Sequence, residues 1–376
     1  MSAVSPSASG ARSWRERFLN WRNQRVADPR FQRWAASFPL TRVIARRRAK
    51  ALFDLCAGFV YSQILLACVR LRLFEILAAG PLHETQLAAR LDLSADATRR
   101  LLRAAASLKL LRALPGDRYA LDDLGASMLA NPSVGAFVEH HALLYDDMRD
   151  PVALLRGETT TRLSRFWPYA AGHDGDSQAC GAYSALMARS QQLIAEDVLD
   201  SYSFARHQTL LDVGGGEGAF VAAVAGRHPA LRLKLFDLPP VAERARDRLA
   251  ARGLARVETH GGSFLEKPLP AGADIVTLIR VLHDHDDATA RAALGAAHAA
   301  LPPGGTLLVA EPLAETPGAE TIGDAYFGFY LLAMGSGRPR REAEMTQLLQ
   351  EAGFTAIRRL PTPRPLLASV IIGRRV

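Results

Sequence analysis

Residues 210–220 read Leu-Leu-Asp-Val-Gly-Gly-Gly-Glu-Gly-Ala-Phe, and this stretch decides the fold. An apolar run over 209–213 stops at a glycine cluster, after which 219–227 carry a helical pattern. The chain therefore passes from strand through tight turn to helix. Gly214, Gly216 and Gly218 occupy alternate positions of the turn. Glycine there permits a sharp bend and lets a ligand approach the backbone without meeting a Cβ. The spacing is D-x-G-x-G-x-G, counted from Asp212, and not the G-x-G-x-x-G that seats a pyrophosphate on a helix N-terminus. Glu217 stands where the helix opens; an acid in that place disfavours a phosphate and suits a cation.

The next strand, 232–236, ends at Asp237 and Leu238. An acid at the end of that strand holds ribose hydroxyls in nucleotide-binding α/β folds. A nucleoside with a cationic tail and no phosphate describes S-adenosylmethionine. Further along, strands and helices alternate: helix 240–252, strands 255–260 and 273–279, helix 287–301 and strand 306–311. A loop and helix over 312–340 follow, then helix 341–352 and strands 355–360 and 367–373. Such alternation predicts an α/β fold with a Rossmann-like parallel sheet covered on both faces, closed by a strand pair without an intervening helix.

On these residues, the chain from about 50 to 376 resembles the class I S-adenosylmethionine-dependent O-methyltransferases that act on small molecules. The resemblance implies a cofactor site of Asp212, Gly214, Gly216, Gly218, Asp237, Leu238 and Arg280. Ser263 and Phe264, in the GGSF after the third strand, match positions that contact adenine, although family members often have Asp where Ser263 stands.

Methyl transfer from a sulfonium asks for in-line alignment of acceptor oxygen, methyl carbon and sulfur, and for removal of the hydroxyl proton. The segment 278–288, LIRVLHDHDDA, supplies the base candidate. His283 follows a buried run at the carboxyl edge of the sheet, where open α/β folds bind ligands. By resemblance to the family's His-Asp-Trp segment, His283 is the general base, Asp284 lies beside it, and His285 replaces the Trp. Glu311, which ends TLLVAE, takes the place of the acid that orients the base. The second orienting acid of the family comes from a G-x-E-R-T loop. Here that loop is Gly337-Arg338-Pro339-Arg340-Arg341, so Pro339 occupies the acid's place and the role is unfilled or taken by Asp324 or Glu342. His283 to Asp286 are also metal-ligand types, but successive loop residues rarely converge on one ion, and no metal is expected.

The length, 376 residues, suggests two or three folded units, and a hydrophobic content of 49% indicates a soluble protein with ample core. Cys56, Cys68 and Cys180 sit in apolar helical contexts without paired spacing and read as buried thiols of a reducing cytoplasm. No secretory signal is read, and the best membrane-span candidate, 55–69, is shorter than the ~20 residues a bilayer requires.

The net charge of +8 is concentrated near the N-terminus, where residues 11–50 hold twelve Lys/Arg against two Asp/Glu. This arm, residues 1–48, also carries three of the four tryptophans, and Trp14, Phe18 and Trp21 recur at helical spacing. Basic helices with interfacial aromatics suit an anionic membrane surface; packing on the protein itself is the competing reading. Residues 49–125 resemble a winged-helix module, with helices over 83–91 and 94–110 and a wing over 111–121. Arg99, Arg100 and Arg103 invite a DNA-binding reading. In the family the same module is a dimerisation domain, which implies a homodimer and no nucleic acid.

Residues 126–205 form a helical connector in which Phe166, Trp167, Tyr183 and Met187 make an apolar wall suited to a hydrophobic small molecule. Residues 206–376 form the S-adenosylmethionine-binding domain. The arm, the segment LLYDDMRDPVALLRGE and RFWPYA look like the carotenoid O-methyltransferases of phototrophic purple bacteria. That branch implies methylation of the tertiary hydroxyl of an acyclic carotenoid of the demethylspheroidene or hydroxyneurosporene type. The alternatives are O-methylation of an aromatic or polyketide product, an S-adenosylmethionine-sensing regulator, and a member that binds the cofactor without transferring its methyl. His283 argues against the last.

Overall fold

The computed structural model describes residues 13–166, 191, 193–365 and 367–376, and the chain divides into two units, 1–125 and 126–376. In the first unit, Ser13 and Glu16 form a reciprocal capping box that starts helix Trp14–Ala27. Asp28 caps helix Pro29–Ser37, with the proline at the first helical position. Trp14, Phe18 and Trp21 are all exposed, with the Phe18 and Trp21 rings 5.9 Å apart.

The next helix, Arg42–Arg70, has 29 residues and carries an 18-residue window of mean hydropathy 1.8, only 6% of it buried. It is thus long and apolar enough, by length and composition, to cross a membrane, which corrects the shorter reading of 55–69. Asp54 and Arg70 bound that apolar run, yet a charged side chain does not interrupt the backbone ladder, and the helix continues back to Arg42. The helix stops at Arg72, which adopts the left-handed conformation at φ 54°. Cys56 is exposed, against the expectation of burial; Cys68 is buried, and that burial pushes its thiol up to about 12. Cys180 lies outside the described residues.

Strand β1 (Leu82–His83), helices Glu84–Leu91 and Ala95–Ser107, and the hairpin of β2 (Leu111–Leu114) with β3 (Arg118–Leu121) complete this unit as a three-stranded sheet of order β1-β3-β2. Ser94 caps the second helix through Ala97 N at 3.2 Å. Arg99 pairs with Glu84 at 2.9 Å and Arg100 with Asp96 at 2.8 Å, so two of the three arginines weighed for DNA are held by carboxylates of their own unit.

In the second unit, helices Pro132–Asp147, Pro151–Leu155 and Arg162–Phe166 precede a seven-stranded sheet. Its strands are β4 (Thr209–Val213), β5 (Arg232–Asp237), β6 (Glu258–Gly261), β7 (Ile275–Ile279), β8 (Thr306–Glu311), β9 (Phe354–Leu360) and β10 (Ser369–Arg375). The order is β6-β5-β4-β7-β8-β10-β9, with β4 to β8 parallel and β10 antiparallel to both neighbours. β4, β7 and β8 are buried along their whole length, the pattern of strands covered on both faces. Alternation divides them between two cores: Leu210, Leu233 and Ile275 pack with Phe220 and Val224, whereas Leu211, Val276 and Leu278 pack with Leu294 and Leu348. The expected Rossmann-like α/β architecture and its closing hairpin are therefore present. The reversal at β4 and β7 directs the loops after β4, β5, β7 and β8 to one carboxyl edge.

Candidate active site

The glycine turn follows β4. Gly214, Gly216 and Gly218 have φ of 69°, 55° and 80°, values that L side chains rarely adopt. A Cβ on Gly214 would also lie 2.7 Å from Val281 Cγ2, so the turn packs directly on the loop after β7. Helix Ala219–Arg227 begins with Gly218 as its cap. Glu217 therefore lies outside the helix, and its carboxylate faces Arg248 and Arg244 of helix Pro239–Ala251. The reading of Glu217 as a partner for a cationic ligand is corrected: two arginines already neutralise it.

Asp237 ends β5 buried, accepting from Gly216 N at 2.8 Å and Leu238 N at 2.7 Å. These bonds fix the carboxylate beside the glycine turn. Asp212, fully buried under the turn, accepts from Thr277 Oγ1 at 2.7 Å, while its Oδ2 has no hydrogen-bond partner among the described residues. Burial pushes the Asp212 carboxyl up to about 7. A carboxylate locked beside a bare glycine turn, with a second acid unsatisfied beneath it, fits the ribose and cationic tail of S-adenosylmethionine. Ser263 accepts from Leu265 N at 3.2 Å and shapes the loop after β6. Phe264 meets His285 edge to face, centroids 5.6 Å apart. His285 thus fills a ring position with an imidazole that burial keeps below its ordinary range.

His283 sits in a short 3-10 turn, Leu282–Asp284, directly after β7. Its Nδ1 is 2.5 Å from Glu311 Oε2, and its Nε2 is 3.1 Å from Asp284 Oδ1. The other oxygen of Glu311 accepts from Val281 N at 2.9 Å and Leu282 N at 2.7 Å. One carboxylate thereby holds both the backbone of the turn and the ring it presents. Burial alone would lower the His283 imidazolium, but the Asp284 and Glu311 carboxylates outweigh it and hold the group above its ordinary range. Burial pushes the Asp284 carboxyl up, against the pull of His283 and Arg280. Arg280 directly follows β7 at φ 57°, a strained conformation of the kind found at functional sites, and it acts electrostatically on both residues.

Neither candidate for the second orienting acid is bonded to His283. Asp324 accepts from Glu315 N at 3.0 Å, and Glu342 pairs with Arg359 at 3.0 Å. The loop with Pro339 acts on the backbone instead. Gly337, at φ 82°, comes so close that a Cβ would lie 2.1 Å from His283 O, and Arg338 N donates to that carbonyl at 3.0 Å. Arg340 is fully buried and donates to Leu282 O, to His285 O at 2.8 Å, and to the Asp287 carboxylate at 2.8 Å. Sequence reasoning missed this clamp, although Arg340 matches the Arg of the G-x-E-R-T pattern. Asp286 is occupied as a helix cap through Thr289 N at 2.8 Å, so His283 to Asp286 turn to separate tasks.

Of the expected substrate wall, Trp167, Tyr183 and Met187 lie outside the described residues, as does the side chain of Phe166. The described wall beside His283 is aromatic and was not anticipated: Phe327 meets the His283 ring edge to face at 6.0 Å, backed by Tyr326 and Tyr330.

Comparison with known proteins bears on the whole chain. An O-methyltransferase domain matches residues 145–355, and an O-methyltransferase dimerisation domain matches residues 53–131. Over 381 aligned residues, covering 100% of this chain and 99% of the other, the sequence is 44% identical to demethylspheroidene O-methyltransferase of Cereibacter sphaeroides. Among solved structures, the mitomycin 7-O-methyltransferase MmcR is similar with a TM-score of 0.72 at 30% identity, covering 89% of this chain and 100% of that one. The apo form of the S-adenosylmethionine-dependent methyltransferase SibL gives 0.73 at 27%, covering 86% and 98%.

Proposed function

The chain belongs to the S-adenosylmethionine-dependent O-methyltransferases, and from that membership we propose that it methylates the tertiary hydroxyl of an acyclic carotenoid of the demethylspheroidene or hydroxyneurosporene type. S-adenosylmethionine supplies the methyl group on a sulfonium. Asp237 would hold the ribose hydroxyls, the backbone of 214–218 would border the cofactor, and Ser263 and Phe264 would flank the adenine; Asp212, Leu238 and Arg280 complete the surround.

The observation that carries the catalytic reading is the His283–Glu311 pair. Glu311 would hold a proton on Nδ1, so that Nε2, which faces Asp284 Oδ1 at 3.1 Å, takes the incoming proton once the acceptor hydroxyl displaces that carboxylate. As the new oxygen–carbon bond forms and the carbon–sulfur bond breaks, the hydroxyl proton passes to Nε2 of His283. Glu311 and Asp284 then stabilise the imidazolium. A tertiary alcohol is too weak an acid to ionise first, so proton removal and methyl transfer are concerted, and alignment matters more than basicity. The acceptor assignment rests on the full-length 44% identity to a demethylspheroidene O-methyltransferase, and the aromatic wall beside the base suits an apolar polyene. Purified protein incubated with methyl-labelled S-adenosylmethionine should label a demethylspheroidene-type alcohol and leave a simple phenol unlabelled. Label on the phenol alone would favour the aromatic alternative.

The family's dimerisation domain, at residues 53–131, makes the protein a homodimer and accounts for exposed Leu55, Phe59 and Val60. It does not reach the arm that precedes it, where Trp14, Trp21, Trp34 and Phe38 are exposed among arginines. We propose that this arm docks a cytoplasmic enzyme on an anionic membrane, where a polyene dissolves. Each Lys or Arg near such a surface contributes ~1 kcal/mol. Deleting residues 1–48 should abolish co-sedimentation with anionic liposomes while cofactor binding survives; unchanged sedimentation would make the arm a packing element.

A further inference from the structure

Two adjacent histidines meet two tyrosines beside the active site, and the proposed reaction uses neither pair. His140 Nε2 lies 2.8 Å from the Tyr330 hydroxyl, and His141 Nε2 lies 2.8 Å from the Tyr326 hydroxyl. The histidines are consecutive on helix Pro132–Asp147. Tyr326 falls in a π-helical segment, Thr321–Phe327, and Tyr330 in the α-helix Gly328–Met334 that continues it. The i→i+5 winding is rare and recurs at functional sites.

The rings form one continuous chain. Tyr326 stacks on Tyr330 with centroids 5.8 Å apart and planes 23° apart. Phe137 meets His141 edge-on at 4.6 Å and Tyr326 at 5.8 Å. Phe327 meets Tyr326 at 5.2 Å and, on its other side, the His283 ring at 6.0 Å with an interplanar angle of 83°. Burial, with His141 beside it, pushes His140 down to about 4, and burial lowers His141 as well. Both pairs are therefore neutral hydrogen bonds at physiological pH, and neither adds a charge near the base. Arg280 acts electrostatically on His283, Asp284, Tyr326 and Tyr330 alike, which sets these four groups around one region.

Resting on the reading of His283 as the base, we propose that the twin His–Tyr pairs clamp the 321–334 segment so that Phe327 fixes the plane of the His283 imidazole, which makes Tyr326 and His141 positioning residues for methyl transfer. His140 and Tyr330, 9% and 6% exposed, anchor the segment deep in the unit. The half-buried pair of His141 and Tyr326 sets the ring next to the base. Glu311 and Asp284 face the two ring nitrogens, within the plane of the imidazole; Phe327, set edge to face on the ring, restrains tilting out of that plane.

The test uses the full-length protein with the acceptor identified above and follows kcat, KM for the acceptor, cofactor affinity and melting temperature in parallel. Tyr326→Phe should lower kcat about five- to ten-fold, the range of one neutral hydrogen bond, with cofactor affinity unchanged. His141→Ala should do the same, and the double variant should be no worse than either single one, as expected of partners in one interaction. His141→Gln, which restores a partner to the tyrosine, should recover most of the loss, and it keeps the test open if His141→Ala folds poorly. A kcat within two-fold of the parent in Tyr326→Phe, a loss confined to KM, or fully additive losses would each overturn the clamp. His283→Ala, run alongside, separates the two ideas: if it is inactive while Tyr326→Phe is normal, the base stands and the clamp falls, whereas an active His283→Ala removes the base itself.

Discussion

Replacing Glu311 by glutamine tests the logic of the base more severely than deleting the side chain. One oxygen of Glu311 accepts from Val281 N and Leu282 N, and the other faces His283 Nδ1 at 2.5 Å. Glutamine has the same shape, but its two ends are not equivalent. Two backbone donors demand the carbonyl end, so the amide nitrogen must turn to His283. An N–H donor there obliges Nδ1 to be the unprotonated nitrogen and puts the ring's proton on Nε2. The base then carries a proton where it should receive one. The comparable carboxylate-to-amide change in serine protease triads costs ~10⁴-fold through the wrong tautomer, and general-base catalysis is worth about 10²–10⁴-fold. Glu311→Gln should therefore lower kcat by about 10²–10⁴ while the fold and cofactor affinity survive. Loss of the charge should also move the acid limb of any residual pH–rate profile downward, because Glu311 helps hold His283 above its ordinary range. Steady-state rates over pH 5–9, with calorimetric cofactor binding on the same preparations, make the comparison. A folded variant that retains more than about a fifth of kcat would refute the tautomer argument.

Two further outcomes follow from the cofactor side. Asp237→Ala removes the carboxylate beside the glycine turn and should weaken S-adenosylmethionine by ~1.5–3 kcal/mol, ten-fold or more; unchanged affinity by calorimetry would remove Asp237 from the site. Asp212, whose carboxyl is pushed from 3.8 to about 7 in the folded protein, binds its proton more tightly folded than unfolded. Its contribution is therefore greatest below pH 4 and is lost as the pH rises toward 7, by at most about 4 kcal/mol. Asp212→Asn stays neutral, so its melting temperature should fall less between pH 5 and 8 than that of the parent; parallel curves would contradict the assignment.

What the sequence made legible were features with a local signature. Strands 209–213 and 306–311 stand where apolar runs end in a glycine cluster and in an acid; Glu311 ends a buried strand and His283 follows one in a short turn, and that placement is what singled them out as candidates. The apolar span within helix Arg42–Arg70 was read short, as 55–69, because Asp54 interrupts it, and a charge there marks exposure and not the end of a backbone ladder. Glu217 was misread because its partners, Arg244 and Arg248, belong to another helix. Arg340 donates to carbonyls more than fifty residues away, and His140 finds Tyr330 across 190 residues. No periodicity announces such pairings; they exist only once the sheet has brought its loops to one edge.

The central claim is that His283 takes the acceptor's proton as the methyl moves, and single-turnover transfer by His283→Ala tests it most directly. Saturated with methyl-labelled S-adenosylmethionine and a demethylspheroidene-type alcohol, the parent should form the labelled methyl ether on an acid limb centred above pH 6.5, because the neutral imidazole is the active form and its pKa is raised. The variant should form the same ether about 10²–10⁴ times more slowly with cofactor affinity unchanged. Ether formation within about three-fold of the parent would mean that alignment alone, or another group, accomplishes the transfer.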